Sequence, residues 1–168
     1  MNIKSATSKS IIALIVMIFS MALNRESYCQ TFRINHNGKT GHAFTTEVGT
    51  ITALHVGGIA FDHYYPALDI AIDTRSKSLG GYKISNSPPA YFIDRRGTRH
   101  TLKPTGNYHL QTMVSLRFFP GESGMPVFAS DGTVCCVVLG NAFTNGRWRG
   151  RVAPIAPLTS RINMTPTQ

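Results

Sequence analysis

Three residues set far apart along the chain, His55, Asp69 and Ser123, stand in local contexts suited to acyl transfer. His55 ends the apolar stretch GTITALHV and is followed by Gly57 and Gly58, so the chain can turn away and leave the imidazole at a strand end. A neutral imidazole, with a pKa near 6.5, is a general base around neutral pH. Asp69 is the second residue of LDIAID, where a carboxylate just before an apolar strand can be half buried and orient an imidazole nitrogen. Asp62 and Asp73 compete for that role, the first from a mixed polar loop and the second from the far end of the same strand. Ser123 lies in FFPGESGMPVF, between Gly121 and Gly124 and ahead of Pro126. Glycines on both sides allow a tight turn whose backbone N–H groups converge and leave no side chain beside a nucleophilic hydroxyl. The order His, Asp, Ser is one of the few in which such a device is assembled.

Positioning these groups falls to short strands. GHAFTTEVGTITALHV, LDIAID, QTMVSLRFF, MPVFA and TVCCVVLG are rich in Val, Ile, Thr and Phe, and they are separated by NHNGKTG, SNSPPA, SDG and TNGR. No long stretch keeps a helical period, and the pattern predicts an all-β barrel or sandwich. Residues 76–91, SKSLGGYKISNSPPAY, lack a strong apolar run and carry two prolines, which marks a linker between lobes at 31–75 and 92–162, with 163–168 as a tail.

The chain has 168 residues, enough for one domain or two small lobes, and 42% of them are hydrophobic. Lys and Arg outnumber Asp and Glu by 17 to 8, a formal charge of +9, which favours acidic peptides, nucleic acid or an anionic membrane without choosing among them. At the amino terminus, Lys4 and Lys9 precede the apolar run Ile11 to Leu23 and the polar NRES, the order of a secretory signal over residues 1–29. Ser20 and Ala22 suit cleavage after Ala22, and Ser27 and Cys29 offer a poorer second site. The expectation is a secreted or periplasmic protein. The alternative is an anchor retained through residues 11–23, although this run is shorter than the roughly 20 residues of a spanning helix. Cys135 and Cys136 are adjacent and read as packing residues, since a bond between neighbours on a strand is strained. No zinc spacing is present, and no metal or other cofactor is expected.

These motifs resemble those of the trypsin-like, chymotrypsin-fold serine proteases, in particular their compact bacterial and viral branches. ITALHV is similar to the histidine motif, with Leu54 bulkier than usual; LDIAI to the aspartate motif; and GESGMPVF to the serine motif, with Glu122 and Met125 as departures. The resemblance implies two small antiparallel six-stranded β-barrels with the active site in the cleft between them. His55 and Asp69 would come from the first and Ser123 from the second. It implies an oxyanion hole made by the backbone N–H groups of Gly121 and Ser123. It puts the pocket for the residue before the scissile bond between the segment ahead of Ser123 and the stretch Val138 to Phe143, which includes Gly140 and Asn141. Arg117 falls at the floor of that pocket, where a cation selects an acidic side chain; a solvated strand residue pointing away is the competing reading.

The expected activity is therefore a serine endopeptidase acting on polypeptides. Two other classes remain open. A catalytically inactive relative would use the cleft only for binding. A basic β protein would bind nucleic acid through DRRGTRHTLK and GRWRGR, which otherwise read as charged hairpin faces.

Overall fold

The computed structural model describes residues 31–57, 60–76 and 80–163. The expected signal or anchor segment at 1–29 and most of the expected tail lie outside the described residues. Among those described, no helix is long and apolar enough to cross a membrane.

Among the described residues the strands form two antiparallel sheets. The first contains β1 (Thr31–His36), β2 (Lys39–Thr46), β3 (Gly49–Ala53), β4 (His63–Tyr65) and β5 (Ile70–Asp73), in the order β1-β2-β3-β5-β4. Tight turns at Asn37-Gly38 and before Gly49, with positive φ at all three residues, let β1, β2 and β3 follow one another as hairpins. Between β3 and β4 the chain makes one helical turn, α1 (Leu54–Gly57), and this turn carries His55.

The second sheet contains β6 (Tyr91–Ile93), β7 (Arg99–Thr101), β8 (Pro104–Tyr108), β9 (Gln111–Val114), β10 (Pro126–Phe128), β11 (Val134–Thr144) and β12 (Arg147–Pro154). Their order is β7-β6-β10-β11-β12-β9-β8. A final helix, α2 (Ala156–Asn163), follows β12. Neither sheet closes into a barrel among the described residues: β1 and β4 stay as edges of the first, β7 and β8 of the second. Among the described residues the first sheet has five strands and the second seven, where six each were expected, and β4 has only three residues.

One apolar core spans both sheets. Phe44, Ile51, Ile70 and Ile72 of the first sheet pack with Val134, Val137, Leu139 and Ile155 from the second half of the chain. The far face of the second sheet has its own core, in which Phe92, Val114, Phe118, Val127, Val138 and Val152 meet, with Cys135 and Cys136 buried beside them as free thiols. The crossing between sheets is stitched on both sides. Tyr82 exchanges backbone hydrogen bonds with Thr45 and Glu47, and Ser85 and Lys83 bond Val134. The Tyr82 ring stands edge-on to both Phe44 and Phe128, so aromatic contact is continuous from one sheet to the other.

Candidate active site

Asp69 is the residue that organises the first half of the site. Its φ of +58° is in the left-handed region, which Asp tolerates better than most residues. In that conformation its main-chain carbonyl accepts from Leu54 N–H at 2.8 Å, while Oδ1 accepts from His55 N–H at 3.0 Å. The first N–H groups of a helical turn have no partner within the turn, and here one remote residue satisfies two of them. The second carboxylate oxygen, Oδ2, accepts from His55 Nδ1 at 2.6 Å. Asp69 thus sets both the place of α1 and the tautomer of the imidazole it carries, leaving Nε2 as the basic nitrogen. The His55 side chain is 38% exposed, so that nitrogen is within reach of solvent and substrate. The rival carboxylates are engaged elsewhere: Asp62 accepts from the N–H and hydroxyl of Thr74, and Asp73 pairs with Arg75.

The serine segment is built from two consecutive turns. Glu122 N–H bonds to Phe119 O, closing a turn with Pro120 and Gly121 at its centre, and Met125 N–H bonds to Glu122 O, closing a second with Ser123 and Gly124 at its centre. In each, the third residue is a glycine with φ near +87°, +86° at Gly121 and +87° at Gly124. A turn with Pro second and a positive φ third is the type II pattern, for which glycine is the residue of choice. This accounts for the glycines on either side of Ser123. Gly124 is obligatory for a further reason: a Cβ there would stand 1.8 Å from His42 O.

Both sheets hold this double turn. From the first, His42 N–H donates to Ser123 O at 2.8 Å; from the second, Val138 O accepts from Gly124 N–H at 2.7 Å. The Thr52 hydroxyl, two residues before Leu54, donates to His42 O at 2.6 Å. The vacant Cβ position of Gly41 lies under 3 Å from both Ser123 O and a methyl of Val56, the residue after His55. Only glycine at 41 lets α1 and the serine turn come this close. Ser123 Oγ itself donates to Leu139 O at 3.3 Å, and it makes no hydrogen bond with His55 in this conformation. Among the described residues, the N–H groups of Gly121 and Ser123 donate to no other group of the protein.

Residues that spacing does not single out complete the surroundings. His42 Nδ1 donates to Gly121 O at 2.8 Å, bracing the turn from the side opposite Val138. Its pKa is lowered, first by burial and then by the cations of Arg95 and Arg33; the bond to Gly121 O opposes this. Glu122, 2% exposed, turns inward and accepts from Phe119 N–H through Oε2 at 2.7 Å, so it stiffens the first turn.

On the other flank, β11 has a bulge between Val138 and Gly140, and Gly140 has a φ of +122°. A Cβ on Gly140 would stand 3.8 Å from Ser123 Oγ, so this strand passes directly beside the hydroxyl. Asn141 clamps the segment ahead of the turn: Oδ1 accepts from Phe118 N–H and Nδ2 donates to Phe118 O, both at 2.8 Å. Arg117 is exposed, with its guanidinium carbon 5.4 Å from the centre of the Trp148 ring. Its neighbour Phe118 is the buried residue of that segment, against Phe92 and Gly150. Among the described residues, no group of three or more His, Cys, Asp or Glu is placed to hold a metal ion.

Two antiparallel sheets with this element order match a chymotrypsin-like β fold of two domains. Among solved structures, the protein is similar to the serine protease of human pathogenic astrovirus, with a TM-score of 0.56 and 20% identity over 80% of this chain and 91% of that one. It is also similar to the Rv3671c protease of M. tuberculosis in an inactive form, with a TM-score of 0.52 and 16% identity over 83% and 90%. At these identities the likeness shows the fold. No protein-family model matches the sequence, and neither does any curated protein.

Proposed function

We propose that this protein is a serine endopeptidase that hydrolyses peptide bonds through an acyl-enzyme, with His55, Asp69 and Ser123 as its triad. The observation that carries this reading is the two-point hold of Asp69 on His55, on a fold whose second sheet presents Ser123 in a glycine-flanked turn. An ion pair placed only for stability has no need to fix the ring and the main chain of the same histidine.

In the proposed mechanism the Ser123 hydroxyl exchanges Leu139 O for His55 Nε2 by a change of rotamer, a motion of picoseconds to nanoseconds for an accessible side chain. His55 takes the proton as the serine oxygen attacks the carbonyl, Asp69 stabilises the imidazolium, and the uncommitted N–H groups of Gly121 and Ser123 receive the oxyanion. The imidazolium then protonates the leaving amine, and water repeats the sequence on the acyl group. No cofactor takes part. On this reading the residue before the scissile bond lies on the β11 side, near Gly140, and the leaving group lies on the flank of the turn away from β11. On the pattern of the amino-terminal segment, the working site is outside the cytosol, with the chain free or anchored through residues 11–23.

A second reading, an inactive relative that binds polypeptides, is favoured by one observation, the donation of Ser123 Oγ to Leu139 rather than to His55. Labelling with a fluorophosphonate decides between them. The endopeptidase reading expects one labelled site, at Ser123, lost in Ser123→Ala and strongly slowed in His55→Ala. An unlabelled, folded wild-type protein overturns the endopeptidase reading.

A further inference from the structure

On the flank of Ser123 away from β11, the turn borders a recess, a cavity of about 300 Å³ lined by Arg33, Thr40, His42, Arg95, Pro120 and Gly121. Its charge is one-sided. Arg33 and His42 are directly opposed on β1 and β2, and directly opposed residues of an antiparallel pair project from the same face, so the arginine stands beside the imidazole. Arg95 arrives from the other sheet, in the loop after β6, and its Nη1 lies 3.7 Å from where a Cβ on Gly121 would be. Neither guanidinium forms an ion pair among the described residues. The carboxylates nearest to hand are already committed. Asp94 accepts from His100 and from the N–H groups of Thr98 and Arg96, and those bonds hold its carboxyl down at about 2. Glu122 is turned inward on Phe119 N–H.

Two arginines outside any ion pair, on different sheets and converging beside a backbone turn, form a site for a carboxylate, because a guanidinium fork matches carboxylate geometry. The recess adjoins Gly121, on the flank of the turn away from β11, so on the endopeptidase reading whatever fills it is joined to the substrate beyond the bond being cut. We propose that Arg33 and Arg95 bind an acidic side chain located within the first few residues after the scissile bond, and so select substrates that are acidic on their leaving-group side. This rests on the endopeptidase reading for the direction of the chain, and on the recess alone for its chemistry. Arg117 plays no part in it.

The test is cleavage of a randomised peptide library, with the positions of the cuts read by mass spectrometry. For the wild-type protein, Asp and Glu are expected to be enriched about tenfold at one of the first positions after the cut, the scale of one charge-assisted hydrogen bond at a solvent-open site. The enrichment should fall to background in the double variant Arg33→Gln, Arg95→Gln, with overall turnover of neutral peptides retained. Arg95→Glu should move the preference toward Lys and Arg at the same position, a gain that a damaged fold cannot imitate. Enrichment that is absent, or unchanged in the double variant, overturns the proposal. A binding arm separates this outcome from failure of the endopeptidase reading. In Ser123→Ala, a fluorescein-labelled peptide carrying Glu residues should bind more tightly than its Gln counterpart, and the difference should depend on Arg33 and Arg95. If that difference is found while wild-type protein cuts nothing, the recess stands and the catalytic assignment falls; equal binding of the two peptides rules out the recess.

Discussion

Asp69 holds His55 at two points, the main-chain N–H through Oδ1 at 3.0 Å and ring Nδ1 through Oδ2 at 2.6 Å. Position and tautomer of the imidazole are therefore coupled to a single carboxylate.

Asp69→Asn separates the two functions. The amide oxygen can still accept from His55 N–H, so α1 stays in place. The amide nitrogen, however, is a donor where the ring needs an acceptor, which forces the proton onto Nε2 and removes the base. The expected loss in kcat is about 10⁴-fold, the scale recorded for this change in a well-studied triad. The thermal midpoint should shift little. Peptide hydrolysis and a thermal melt on the same preparation check both halves.

Glycine is required at 124 by space and at 97 by conformation alone. Both have φ between +80° and +87°, but a Cβ at Gly124 meets His42 O at 1.8 Å whereas one at Gly97 meets nothing within 4 Å. Gly97→Ala should cost about 1 kcal/mol, the penalty of a left-handed conformation for a residue with a side chain. Gly124→Ala should cost more than about 4 kcal/mol, because backbone atoms must move on two sheets at once. Urea unfolding midpoints give the comparison.

His42 introduces a pH dependence of known sign. Burial and the cations of Arg95 and Arg33 lower its folded-state pKa, with Gly121 O and Glu122 opposing them. The unfolded chain therefore binds the proton first, and stability is full above the unfolded value near 6.5 and declines as the pH falls below it. His42→Gln should flatten this part of the profile between pH 7.5 and 5, as read by urea unfolding at each pH. A slope that is unchanged in the variant assigns the dependence to another group.

Much of the site could be read from the sequence because its logic is local. Pro120-Gly121 and Ser123-Gly124 carry their own turn chemistry, and Asp69, unlike Asp62 and Asp73, directly precedes an apolar strand. The partners of those residues were not readable. Thr52 lies inside the same motif as His55, yet its bond to His42 O depends on how β3 lies against β2. Asn141 stands 23 residues from Phe118, and no periodicity links them. The two antiparallel sheets are those the family likeness implies, but that neither closes among the described residues was not readable, since strand composition marks where strands form and not whether a three-residue strand such as β4 completes a ladder.

By itself the sequence determined which residues can do chemistry, the β character of the chain and its excess of positive charge, since side-chain type, strand patterning and turn preference are properties of a few consecutive residues. Only the tertiary structure decided that Asp69 grips His55 twice, that His42 and Val138 pin the serine turn from opposite sheets, and that Arg33 and Arg95 share one recess. Each of these is a meeting of segments far apart along the chain, and such meetings are set by sheet register and by the burial of one apolar core common to both sheets.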